Sequence, residues 1–186
     1  YEKLLQLNAD NYEAHFGLSF ACLLKGDLSQ GWQEYEWRFK SNDYRSKFIE
    51  RDIPRWNGEN LIGKTLLLTT EQGTGDSFQF IRFAAILKKQ ATHSPVEILV
   101  EAPVEISVLL QAVEGVDKVI TSAEDIPACN FQLPLMSLPL RLNTTLETIP
   151  ASVPYIKIDN PATLLSEQIE NNDKTTKIGI AWAGSS

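Results

Sequence analysis

The 186 residues suffice for one core of ordinary size plus a helical appendage. A net charge of −7, from 17 Lys and Arg against 24 Asp and Glu, argues against a nucleic-acid partner, because phosphate-backbone binders concentrate positive charge. No apolar run approaches a membrane span, and Tyr1 onward does not read as a signal peptide.

The first forty residues read as helices. A helical pattern over 11–25 is followed by a turn at Gly26-Asp27 and a second helix over 28–40. His15, Leu18, Ser19, Cys22, Gly26, Gly31 and Tyr35 resemble the key positions of a tetratricopeptide repeat, with small residues at Ser19 and Gly31 where helices approach closely. Such repeats recur at about 34 residues; Tyr1 and Tyr35 have that spacing, as do Leu5 and Phe39. Residues 1–7 therefore read as the tail of a preceding repeat. A chain beginning there, without an initiator methionine, is expected to be a fragment. One complete repeat cannot bury its own faces, so the hairpin is expected to lean on the domain that follows.

Residues 41–64 are polar, with Tyr44, Phe48 and Trp56 spaced through them, which suits an ordered connector. Within it, Gly58 to Thr65 satisfies the phosphate-loop pattern of Gly, four residues, Gly-Lys-Thr. That motif needs a strand before and a helix after, so that amides and helix dipole face the phosphates. Here the order is reversed, and Gly63 is better read as turning the chain into its first strand, with Trp56 as the connector's anchor.

Strands are expected over 65–70, 96–100, 117–121, 131–135 and 177–182. Helices are expected from Ser77, over 104–113 and over 162–171, with a helical turn over 136–142 and a proline-punctuated excursion over 143–155. This alternation argues for an α/β class with a Rossmann-like parallel sheet and helices on both faces. The domain reading is a repeat hairpin over 1–40, a connector over 41–64, the α/β domain over 65–176 and the start of another over 177–186.

The chemistry concentrates between the first strand and its helix, in Glu71-Gln72-Gly73-Thr74-Gly75-Asp76. Ligands of such domains collect at the carboxyl ends of strands. A dinucleotide fingerprint would place glycine at Phe78, and Asp76 would repel a pyrophosphate aimed at the same amides. The loop suits presenting a carboxylate to a neutral hydroxyl. A helix cap is the purely structural alternative for Asp76, and Glu101, at the end of the next strand, keeps a ribose-gripping dinucleotide reading open. His15 and His93 lack partners at metal-ligand spacing, so no metal site is expected. No nucleophile-elbow pattern is present. Cys22 and Cys129 read as buried thiols of a reducing, cytoplasmic compartment. Asn143-Thr144-Thr145 matches a glycosylation acceptor, which carries little weight without evidence of secretion.

Several motifs in order carry a wider resemblance: Gly26-Asp27 with Gly31-Trp32 and Tyr35-Glu36-Trp37-Arg38; Pro54, Trp56, Gly58-Glu59, Leu61 and Gly63-Lys64; the Glu71 to Asp76 loop; Pro134-Leu-Met-Ser-Leu-Pro139; Thr148-Ile149-Pro150; and Ala181-Trp182-Ala183-Gly184. Together they resemble bacterial tetratricopeptide proteins with a glycosyltransferase-like region, related to heptosyltransferases and more distantly to O-linked N-acetylglucosamine transferases. The resemblance covers essentially the whole chain. It implies a glycosyltransferase B architecture, two Rossmann-like domains facing across a cleft, with no metal or other cofactor and a sugar nucleotide as donor substrate.

On that resemblance Asp76 matches the catalytic base that deprotonates an acceptor hydroxyl. Gln72, Gly73 and Gly75 shape the acceptor loop, Gln79 faces the cleft one turn later, and Met136 and Ser137 are further cleft candidates whose alternative role is packing. Gly184 and Ser185 fall where the donor domain begins. Because the chain stops at Ser186, nearly all of that domain is expected to be missing and the fragment alone inactive. The competing reading is a scaffold that binds a protein partner through its repeats, with a catalytically silent α/β domain.

Overall fold

The computed structural model describes residues 1–41, 49, 51–71, 73–90 and 95–157. The helix expected over 162–171, the strand expected over 177–182, and Gln72, His93, Gly184 and Ser185 lie outside these described residues.

The chain opens with helices α1 (Glu2–Leu7), α2 (Tyr12–Lys25) and α3 (Leu28–Tyr35). Their ends are written locally. The Asn11 side chain accepts the Ala14 N–H at 2.9 Å, and Asp27 accepts that of Gln30 at 3.1 Å. Gly26 closes α2 in the left-handed region at φ 82°. A side chain at Gly31 would place its Cβ 2.6 Å from Leu23 Cδ2, so the close approach of α2 and α3 explains this glycine. Leu18, Ser19, Cys22, Gly31 and Tyr35 are buried, and the half-buried His15 ring stacks on Trp37 with centroids 3.7 Å apart. The helix expected over 28–40 tightens instead into a 3-10 turn at Glu36–Lys40.

The α/β part follows in the expected alternation: β1 (Thr65–Thr69), α4 (Thr74–Phe80), α5 (Ala84–Gln90), β2 (Glu97–Glu101), α6 (Val104–Gln111), β3 (Lys118–Ile120), β4 (Phe131–Pro134) and α7 (Leu138–Arg141). A 3-10 turn, Ile81–Phe83, divides α4 from α5, where periodicity suggests one continuous helix. The four strands form a parallel sheet in the order β3-β2-β1-β4. The order reverses between β1 and β4, the switch point at which α/β sheets open a crevice beyond their carboxyl ends.

Central parallel strands are buried on both faces, which is why they read as continuous apolar runs. Leu66, Leu67, Leu68, Ile98, Leu99 and Val100 have no exposed surface. On one face Leu66, Leu68, Ile98 and Val100 meet Phe80 and Ala84 from α4 and α5, Ile81 from the turn between them, Ile106 and Leu110 from α6, and Leu138 from α7. On the other, Leu67, Leu99 and Ile120 are covered by Ile53 of the connector and by Ile126 and Cys129 from the β3–β4 crossing.

The hairpin packs on this domain. Tyr35 belongs to the main core, and Trp32 meets Phe80 edge-on at 5.5 Å. Pro54 and Trp56 pair with β4 through the backbone: the Gln132 N–H donates to the Pro54 carbonyl at 2.9 Å, and the Trp56 N–H to the Gln132 carbonyl at 3.0 Å. Trp56 is buried. Gly63 turns at φ 65° and leads into β1, not a helix, so the phosphate-loop pattern has no helix N-terminus behind it. No helix among the described residues is long and apolar enough to cross a membrane.

Candidate functional site

Beyond the end of β1 the chain passes through Thr70 and Glu71 into the turn that starts α4, with Gly73 as N-cap. Asp76, the third residue of that helix, is half-buried, and its Oδ2 accepts the Gly73 N–H at 3.1 Å. This is one half of a capping box; glycine has no side chain to return the bond. Among the described residues the other oxygen, Oδ1, has no partner. Asp76 is therefore a helix cap with one acceptor left over.

Neither glycine is demanded by the backbone or by crowding. Gly73 is extended at φ −68° and Gly75 is helical. A Cβ at Gly75 would meet nothing within 4 Å, and at Gly73 only Asp76 Oδ2 at 3.4 Å. Both are exposed, as is Gln79 on the same helix. Among the described residues nothing crowds the exposed side of Gly75, the residue before Asp76.

Met136 and Ser137 are placed differently. Both are buried, in a polar cluster under the loop that joins hairpin to sheet. Arg38, fully buried, forks onto Glu71 through Nε to Oε2 (3.1 Å) and Nη2 to Oε1 (3.0 Å). Its Nη2 also donates to Ser137 Oγ at 2.8 Å, and Ser137 Oγ donates to Glu36 Oε1 at 2.7 Å. The Met136 N–H reaches Glu71 Oε1 at 3.2 Å, while its sulfur accepts from the Tyr35 hydroxyl at 3.7 Å. These contacts fulfil the packing alternative for both residues and leave neither side chain facing open solvent.

Burial pushes the Glu71 carboxyl above its ordinary range, opposed by the Arg38 guanidinium. Burial alone would weaken the charge on Arg38, but Glu71 and Glu36 outweigh it and hold the guanidinium ionised. The cluster thus fixes the strand end from which the loop departs. Sequence reading assigned no role to Arg38 or Glu71. The available signal was a lone arginine among Tyr35, Trp37 and Phe39, where a charge needs a buried partner.

Glu101, the ribose-gripping candidate, is engaged by Arg51 Nη2 at 2.6 Å. Among the described residues no three His, Cys, Asp or Glu side chains come together as a metal site. Cys22 is buried and Cys129 half-buried; neither forms a disulfide.

No family model matches the chain, and no solved structure matches it. Protein FlbA of Caulobacter vibrioides is similar over 65 residues at 37% identity, a stretch of 35% of this chain and 11% of FlbA. The chain thus matches about a tenth of that relative's length.

Proposed function

We propose that this chain is the acceptor side of a glycosyltransferase B-type sugar transferase, following a tetratricopeptide array, with Asp76 as the general base. The supporting observation is the unpaired Asp76 oxygen on an open glycine loop at the carboxyl end of the central strand. In the reaction, the carboxylate takes the proton of an acceptor hydroxyl as that oxygen bonds to the sugar's anomeric carbon. The bond from that carbon to the nucleotide's phosphate oxygen breaks, and its electron pair leaves with the nucleotide. Gly73 and Gly75 leave room for the acceptor, and Gln79 lies one helical turn from the base. Gln72, Gly184 and Ser185 complete the proposed site, with the sugar nucleotide held from a second domain and the reaction placed in the cytoplasm.

The test is sugar transfer by the full-length protein that carries this chain, beside its Asp76→Asn variant. An amide oxygen still caps Gly73, so stability stays near wild type. Loss of the base lowers transfer by about 10²–10⁴-fold with nucleotide binding intact. Unchanged transfer would reduce Asp76 to its capping role.

A second reading, a protein-binding scaffold, is favoured by the apolar side chains that α1 and α2 expose: Leu4, Leu7, Phe20 and Leu24. On that reading wild type transfers no sugar from any donor, and Leu7→Glu with Leu24→Glu abolishes partner binding.

A further inference from the structure

The carboxyl ends of β1, β2 and β3 line a second concavity, and no residue of the 73–79 loop takes part in it. Its volume is about 240 Å³, and Arg51, Thr69, Thr70, Glu101, Ala102 and Thr121 are among its walls. Thr69 and Glu101 are register partners on adjacent parallel strands, so their side chains share a face of the sheet.

Two polar atoms here are unaccounted for. Thr69 is only 5% exposed, yet its hydroxyl has no hydrogen-bond partner. Arg51 Nη1 is buried and equally without one. Buried polar atoms are normally satisfied, so each such orphan asks for an explanation. Packing does not supply it for Thr69: valine would fill the same volume and suits a strand as well.

Charge narrows the ligand. Arg51 Nη2 already donates to Glu101 Oε1 at 2.6 Å, so the guanidinium is compensated and holds no spare charge for an anion. What remains is a donor at Arg51 Nη1, an acceptor at Glu101 Oε2 and a hydroxyl at Thr69 that serves as either. Neutral hydroxyl groups, which donate and accept at once, match that set, and two adjacent ones satisfy it together. The volume is below the ~300–1,000 Å³ of pockets for drug-sized molecules, which limits the occupant to about one ring.

We propose that this cleft binds the vicinal diol of a single sugar ring. The site stands apart from Asp76, so failure of the catalytic reading leaves it intact. The same diol chemistry occurs in a free glycoside and in the ribose of a nucleoside.

The experiment titrates the isotope-labelled chain with methyl glycosides, with uridine and adenosine, with 2′-deoxyadenosine and with inorganic phosphate, following backbone amide NMR signals. Saturable shifts at Thr69, Thr70, Glu101, Ala102 and Thr121 with a diol are expected. Glycosides binding more tightly than nucleosides identifies a sugar substrate; the reverse order, with 2′-deoxyadenosine inert, identifies a nucleotide ribose. Thr69→Val, which keeps the fold by conserving shape, weakens diol binding about three- to tenfold, and Glu101→Gln about tenfold or more. The proposal falls if no diol shifts these residues at tens of millimolar. It falls equally if phosphate alone shifts them, or if both variants bind diols as wild type does.

Discussion

At the scale of single residues, Arg38 shows how a full charge is kept in a dry interior. Its five N–H donors have five acceptors: both Glu71 oxygens, Glu36 Oε1, Ser137 Oγ and the Tyr35 carbonyl. Its guanidinium also lies over the Tyr35 and Phe39 rings. Removing one partner of such a pair strands the other, so Arg38→Met is expected to cost about 3–5 kcal/mol, read as a lower urea midpoint. Replacing Glu71 as well, by Leu, should recover most of that loss. The variant's pH profile has a definite sign. Burial already raises Glu71, and without Arg38 only the Met136 N–H still opposes it. A raised carboxyl favours the folded state below its unfolded pKa and loses that contribution as pH rises through the folded one. The Arg38→Met deficit should therefore be smallest in acid and widen upward through the carboxylate range. The cysteines give a second residue-scale test. Burial pushes both thiols up, with Asp27 and Glu34 adding at Cys22 and Glu97 at Cys129. A thiol reagent at mildly alkaline pH should label the half-buried Cys129 slowly and Cys22 only on unfolding.

At the scale of elements, glycines separate backbone demand from crowding. Gly115 turns at φ 96° between α6 and β3, and a Cβ there would lie 2.6 Å from the Ala84 carbonyl carbon at the start of α5. Backbone cannot yield as a side-chain tip does. Gly115→Ala should cost roughly 2–5 kcal/mol, the left-handed strain plus overpacking. Gly58 has a similar φ of 102° but nothing within 4 Å; its alanine variant should lose only the strain, about 1–2 kcal/mol. Equal midpoint shifts for the two would refute the argument. Much at this scale was legible in the sequence. The helical pattern over 11–25, the turn at Gly26-Asp27 and the unalternating runs of β1 and β2 are local signals, and α2, β1 and β2 stand within a residue of where those signals put them, whereas α3 ends at Tyr35 and not at 40. The break at Ile81–Phe83 was not, because apolar spacing continues through it.

At the scale of the molecule, hairpin and sheet share one core. Tyr35 clusters with Leu66, Phe80 and Met136, and Arg38 bridges to Glu71. Such coupling predicts one cooperative transition, with far-UV circular dichroism and tryptophan fluorescence tracing the same urea curve. Two separated midpoints would show hairpin and sheet folding independently. Deleting residues 1–40 would uncover Phe80 and Met136 and take Arg38 away from Glu71, so the remainder should bind a hydrophobic dye.

The sequence by itself determined the α/β class, the order of the elements, the glycine loop closed by Asp76 and the packing positions of the hairpin. Each follows from residues a few positions apart, whose periodicity and capping chemistry act through the local backbone. Tertiary structure alone decided what those residues meet. Arg38 finds Glu71 across 33 positions and Ser137 across 99. Register sets Thr69 beside Glu101, and the docked hairpin turned Met136 and Ser137 from cleft candidates into buried contacts. Sheet order and docking are chosen by closing long loops around a shared core, a free energy no short stretch of chain contains.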